Sequence, residues 1–262
     1  MKTIRYFISV MDLQTLIVTL LALGSTYACL HFKLLADIPT SLIGLAVVFP
    51  IVFSINTAYK RREEGLKYYS GLKGHAIALY YAHRDWVPGK DGKESDHSKR
   101  IRDIITDLLA ALREDLRSDG RTDARFQNVF SAFSRLSASH ESLREGGVSG
   151  SEISRANQYL SKMIVEFERM RNIATYRTPV SLRAYSSVFL NIFPVAFGPY
   201  FAYLNNKYPE FPIVGFLVAV LYSLVLVTLD NIQEDLEDPF DGVGTDDIRL
   251  DVQEQYKPVI AA

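Results

Sequence analysis

The sequence predicts an all-α membrane protein with four transmembrane helices and a polar helical bundle between the second and the third. Three observations predict it. Hydrophobic residues make up 48% of the 262 residues while charged residues make up 23%, a mixture that suits bilayer spans joined to a water-facing part. Ile38–Tyr59 holds no charge and then meets Lys60, Arg61 and Arg62. About 20 apolar residues are the length that crosses a bilayer as a helix, and a cationic stop fixes such a span on the cytoplasmic side. Residues 60–183 are polar, yet their apolar positions recur at helical spacing.

The first span is Leu13–Phe32. Lys2 and Arg5 precede it, and its apolar run of about 20 residues exceeds the core of a typical signal peptide, so it is expected to remain as a span. The linker 33–37 is short enough to make spans one and two an antiparallel pair. The second span is Ile38–Tyr59. Within it Leu45, Phe49 and Phe53 fall at i, i+4 and i+8 and form one stripe. Ser41, Gly44 and Ala46 keep other parts of the surface slim, and Pro50 introduces a kink that a membrane helix tolerates. Such a stripe suits a helix lining a narrow pore. Taken alone, it suits a lipid-facing or core stripe better than a pore lining.

The middle of the chain reads as helices over Tyr59–Ala82, Ser95–Leu116 and Arg121–Leu143. The second carries Ile101, Ile104, Ile105, Leu108, Leu109 and Leu112, and the third Phe126, Val129, Phe130, Phe133 and Leu136. Ser149 and Glu152 form a capping-box pattern that opens a helix with its apolar face on Ile153, Ala156, Leu160, Met163 and Phe167. Breaks are expected at Val87–Gly92 and Glu145–Gly147. The third span, Ala184–Asn206, is interrupted by Pro194 and by Gly198-Pro199. The fourth, Phe211–Leu229, is followed by an acidic tail. The organisation is therefore 1–59, spans one and two; 60–183, helical bundle; 184–229, spans three and four; and 230–262, tail. Arg171, Arg177 and Arg183 before span three, with the cations near spans one and two, put both termini and the bundle in the cytoplasm.

The totals also exclude functions. A formal charge of −1 gives no field for nucleic acid. Cys29 is the single cysteine, so neither an internal disulfide nor a multi-thiolate metal site is available. The five histidines, His31, His75, His83, His97 and His140, are scattered along the chain. His75 and His83 could share a helix face but lack a third ligand nearby. No phosphate loop, dinucleotide fingerprint, HExxH or GxSxG occurs, so an enzyme is not expected. The tail crowds Glu234, Asp235, Glu237, Asp238, Asp241, Asp246, Asp247 and Asp251 together. Hard cations take such carboxylates, but the spacing is not that of an EF-hand.

Asn56-Thr57-Ala58-Tyr59-Lys60-Arg61, Thr178-Pro179-Val180-Ser181 and Glu237-Asp238-Pro239-Phe240 after a fourth span resemble the bestrophin family, and the order of elements matches it across nearly the whole chain. The resemblance implies a homopentamer with one central pore. Its hydrophobic neck would fall on Leu45, Phe49 and Phe53, with Ser54 and Asn56 near the inner mouth. It implies passive conduction of chloride or another monovalent anion across a bacterial inner membrane. The alternatives are a monovalent-cation channel of the same fold and a non-conducting scaffold or regulatory subunit. The tail looks like the prokaryotic form, which lacks a calcium clasp, so no cofactor is expected. A clasp, were one present, would use Asp238, Asp241, Asp246 and Asp247. The expected partners are other copies of the chain, monovalent ions and the lipid bilayer. The apolar faces of the bundle helices, Phe126, Phe130 and Phe133 against Leu136, are expected to meet neighbouring copies.

Overall fold

The computed structural model describes residues 11–87, 95–117, 123–176, 179–244 and 246–251, and within helices it leaves aside the side chains at 40–43, 45–48, 50, 180 and 182. Lys2, Arg5, Arg177, Thr178 and most of the Val87–Gly92 break lie outside the described residues. Among those residues the chain forms eight helices: α1 Leu13–His31, α2 Thr40–Asp85, α3 Asp96–Arg117, α4 Asp123–Glu145, α5 Gly150–Thr175, α6 Val180–Ala196, α7 Gly198–Lys207 and α8 Val214–Glu237. They divide into two compact units, Met1–Lys60 with Arg177–Glu237, and Arg61–Tyr176 with Asp238–Ala262.

In the first unit α1 packs on α6, α7 and α8, and α8 packs on α6 and α7. Among the described residues, three stretches are long and apolar enough to cross a bilayer: Leu13–His31, Arg183–Lys207 and Val214–Glu237. The expected second span forms the N-terminal half of α2, where many side chains are outside the described set. Leu16, Leu20 and Ile17 of α1, Val188 and Ile192 of α6, and Leu217, Leu221 and Val225 of α8 are exposed, as lipid-facing residues would be. Asp12 caps α1, its carboxylate accepting from the Thr15 amide at 2.9 Å. The interruption expected in span three falls at Phe197, between α6 and α7, whereas Pro194 is absorbed inside α6.

Small residues set the spacing of this unit. A Cβ at Gly198 would collide with Ser25 of α1, whose hydroxyl donates to the Val195 carbonyl at 2.8 Å. A Cβ at Gly215 would collide with the Phe201 carbonyl, and the Gly215 amide donates to Asn205 Oδ1 at 2.6 Å. Helices without a hydrophobic force between them gain from such close approach.

Polar side chains tie the same helices together. Gln14 of α1 donates to Asn191 Oδ1 of α6 at 2.9 Å, and Asn191 donates to Asp230 Oδ2 of α8 at 2.9 Å. Ser187 donates to the same carboxylate at 3.3 Å.

In the second unit the core is built from Leu72, Leu79 and Tyr80 of α2, Ile101, Ile105, Leu108 and Leu112 of α3, Phe133 and Leu136 of α4, and Met163, Phe167 and Met170 of α5. The spacing in α3 is the one expected from sequence, every third or fourth residue. The Ser149 hydroxyl caps α5, accepting from the Glu152 amide at 3.4 Å. Phe126, Phe130 and Phe133 meet Phe167 of α5 within the chain, with ring centroids 6.0–6.4 Å from it. These rings therefore find partners within their own chain, because α5 runs beside α4.

Histidines distant in sequence converge here. His83 Nδ1 lies 2.8 Å from His97 Nε2, the Ser139 hydroxyl lies 3.3 Å from His83 Nε2, and the His83 and His140 ring centroids are 5.7 Å apart. His83 is fully buried. Burial first, and then the adjacent His97 and His140, push its pKa down to about 3.

The Gly215 contact yields a test. Gly215→Ala should destabilise the first unit by about 1–3 kcal/mol, the usual cost of overpacking. Gly24→Ala of α1, where a Cβ meets nothing within 4 Å, should be neutral or slightly stabilising. Thermal melting of the two variants in detergent checks the contrast, and equal melting temperatures would contradict it.

Candidate functional site

The candidate site is the N-terminal half of α2, and the local sequence explains how it is presented. Ile51, Ser54 and Ala58 are 2%, 3% and 0% exposed. Ile51 packs with Leu190 of α6 and Leu226 of α8, and Ile55 packs against the same cluster. These positions recur at helical spacing and fix one face of α2 against the first unit. The opposite face carries Phe49 and Phe53, 55% and 65% exposed, together with exposed Val52. The Phe49 and Phe53 rings are 6.3 Å apart, as a pair at i and i+4 should be. Asn56, Thr57 and Lys60 continue along the exposed surface. That surface therefore runs from phenyl rings to an amide and then to a cation within about three helical turns.

Of the residues expected at the neck, Phe49 and Phe53 share this face. Leu45 is one turn before Phe49 on the same helix, and its side chain lies outside the described residues. Asn56 is exposed along the stripe, whereas Ser54 points into the packed face. The difference is one of register: Ser54 adjoins Phe53 in sequence but is turned about 100° from it.

Beyond α8, the described tail residues, 238–244 and 246–251, belong to the second unit, where Phe240, Ile248 and Leu250 join its core. Phe240 is buried against Gly65, where a Cβ would come within 2.9 Å of its ring. The Ile248 amide donates to the Pro239 carbonyl at 2.8 Å, Tyr69 Oη donates to the Leu250 carbonyl at 3.2 Å, and Arg62 Nε donates to the Asp246 carbonyl at 2.8 Å. Asp251 pairs with Arg113 at 3.2 Å and Arg117 at 3.4 Å. The four candidate clasp residues serve this loop in different ways. Asp241 Oδ1 accepts from the Val243 amide at 2.9 Å, and Asp247 Oδ2 accepts from the Gly242 amide at 2.6 Å. Asp238 is buried and Asp246 is exposed. Gly242 has φ +80°, which favours glycine there. Among the described residues, no three His, Cys, Asp or Glu side chains gather as metal ligands.

Burial, and then hydrogen bonding and repulsion from Asp241, push the Asp247 pKa up to about 7. Its folded value lies above its unfolded value of about 3.9. The stability it contributes is therefore present below about pH 4 and is lost as pH rises through about 7. Asp247→Asn keeps an acceptor for the Gly242 amide and removes the titration. The variant should melt higher than the wild type at pH 8 and no higher at pH 4. A melting difference that does not change between these pH values would contradict this account.

The chain matches no family model. It matches no curated protein. Among solved structures it is similar to a bacterial bestrophin homologue from Klebsiella pneumoniae, with TM-score 0.77 at 17% identity over 95% of this chain and 98% of that one. A further structure of that homologue matches with TM-score 0.71 at 19% identity, over 91% and 92% of the two chains. A structure described as a membrane protein matches with TM-score 0.77 at 18% identity, over 95% and 97%. The likeness extends over nearly all of both chains, and the chain has the bestrophin fold.

Proposed function

We propose that the chain forms an ion channel in which several copies of α2 surround a pore. One observation carries the reading: Phe49, Val52 and Phe53 stand exposed on a helix whose other face is packed into its own protomer. In a ring of protomers those side chains would form a dry constriction, with Leu45 one turn beyond. An ion crossing it sheds water without gaining replacement ligands, so the constriction gates by wetting and dewetting. The assembly proposed is a homopentamer in a bacterial inner membrane, with both termini in the cytoplasm. Lys60, exposed four residues past Asn56, would place a ring of cations near one mouth and favours monovalent anions such as chloride over cations. The proposed channel uses no cofactor and requires no calcium.

Purified protein in planar bilayers with asymmetric KCl tests the reading. The reversal potential should move toward that of chloride, and EGTA should leave the current unchanged. Movement toward the potassium value would make it a cation channel of the same fold, and absence of current would leave a scaffold. Phe49→Ala with Phe53→Ala should raise open probability severalfold. Its melting loss should stay well under the roughly 3–5 kcal/mol of a core Phe→Ala. Early melting with unchanged current would place the pore elsewhere.

A further inference from the structure

One end of the first unit holds a cavity of about 310 Å³ lined by residues of α1, α6 and α8, among them Arg183, Ser187, Asp230, Gln233, Glu234 and Glu237. Three carboxylates face one guanidinium there. Arg183 Nε lies 3.7 Å from Glu237 Oε2, which offsets one negative charge and leaves the lining at a formal −2. Asp230 receives the Asn191 amide and the Ser187 hydroxyl, and neither donor carries a charge. Gln233 is 4% exposed, and its Oε1 is buried with no hydrogen-bond partner. A buried carbonyl oxygen without a donor is costly, and an arriving N–H group relieves that cost. The cavity therefore presents an excess of negative charge and an acceptor in want of a donor.

We propose that this cavity binds a primary ammonium group. An alkylammonium brings one positive charge and three N–H donors, which answer the carboxylates and Gln233 together. A bare metal ion fits the site less well. The space is about that of ten waters, and among the described residues no three acidic or histidine side chains converge as ligands. Asp230 directly follows Leu229, where the expected apolar fourth span ends. That places the cavity at the polar edge of the spans, where a primary amine arrives either on a soluble alkyl diamine or on a lipid headgroup such as phosphatidylethanolamine.

Two arms test the proposal and separate the sources. In the first, protein in detergent is titrated calorimetrically with butane-1,4-diamine, and separately with tetramethylammonium, which has no N–H. In the second, melting is measured in phosphatidylcholine nanodiscs with and without phosphatidylethanolamine. Glu234→Gln and Gln233→Leu are compared with wild type in both. Glu234 is exposed, so its substitution leaves the packing in place. Saturable diamine binding, at least tenfold tighter than tetramethylammonium and weakened at least fivefold in both variants, establishes a soluble-amine site. A rise in melting temperature with phosphatidylethanolamine that both variants lose, without diamine binding, establishes a lipid-headgroup site. No response in either arm, equal responses in wild type and variants, or diamine binding no tighter than that of tetramethylammonium overturns the proposal.

Discussion

The structure depends on one helix that serves two surroundings. α2 runs for 46 residues, about 70 Å at 1.5 Å per residue, and its sequence changes character at Lys60. Before that point no charge appears for 22 positions, from Ile38 to Tyr59. After it, Arg61 donates to the Ile173 carbonyl at 2.6 Å and Arg62 reaches the Asp246 carbonyl. The boundary between the two compact units falls between Lys60 and Arg61. In lipid, a backbone must satisfy its own hydrogen bonds. A continuous helix does so while carrying the chain from apolar to polar sequence without a loop. Each unit then uses the part of α2 that suits it, as an apolar packing face in the first and as one wall of a water-facing core in the second.

The two units are held by different forces. The first relies on close backbone approach at Gly198 and Gly215 and on side-chain hydrogen bonds among Gln14, Asn191, Ser187 and Asp230. A bilayer provides little hydrophobic force between helices, so contact and hydrogen bonding take its place. The second buries Leu, Ile, Met and Phe side chains around α3 and α5, where water supplies the driving force. Its tail is fastened by a buried ring at Phe240 and by main-chain hydrogen bonds, with Asp251 adding charge at the surface.

Much of this was legible in the sequence because local rules produced it. The periodicity of α3, the Ser149 cap and the break before Gly198 are local, and they lie where the sequence places them. Phe49 and Phe53 were legible as a stripe for the same reason. Ser54 was harder, because which face of α2 is packed depends on Leu190 and Leu226, more than 130 residues away in sequence. The histidine cluster was illegible. His83, His97 and His140 lie on three helices, and no spacing rule connects them; only the packing of α2, α3 and α4 brings the rings together. The polar cavity was hidden too, since Arg183 and Glu237 meet only when α6 and α8 are side by side. The tail read as acidic, but nothing local showed that its carboxylates would be turned toward its own amides.

The buried imidazole of His83 has a consequence for how the second unit responds to acid. Held neutral in the fold, it takes up a proton when the bundle opens below its ordinary value of about 6.5. Acid therefore favours opening, progressively down to about pH 3. Asp247 in the same unit behaves oppositely, since it is held protonated and releases a proton on opening as pH rises from about 4 to 7. The two intervals overlap. Across the overlap, opening absorbs a proton at one site while releasing one at the other, and the net exchange with solvent is small. The bundle is thus buffered over mildly acidic pH, with each group cancelling part of the other's slope.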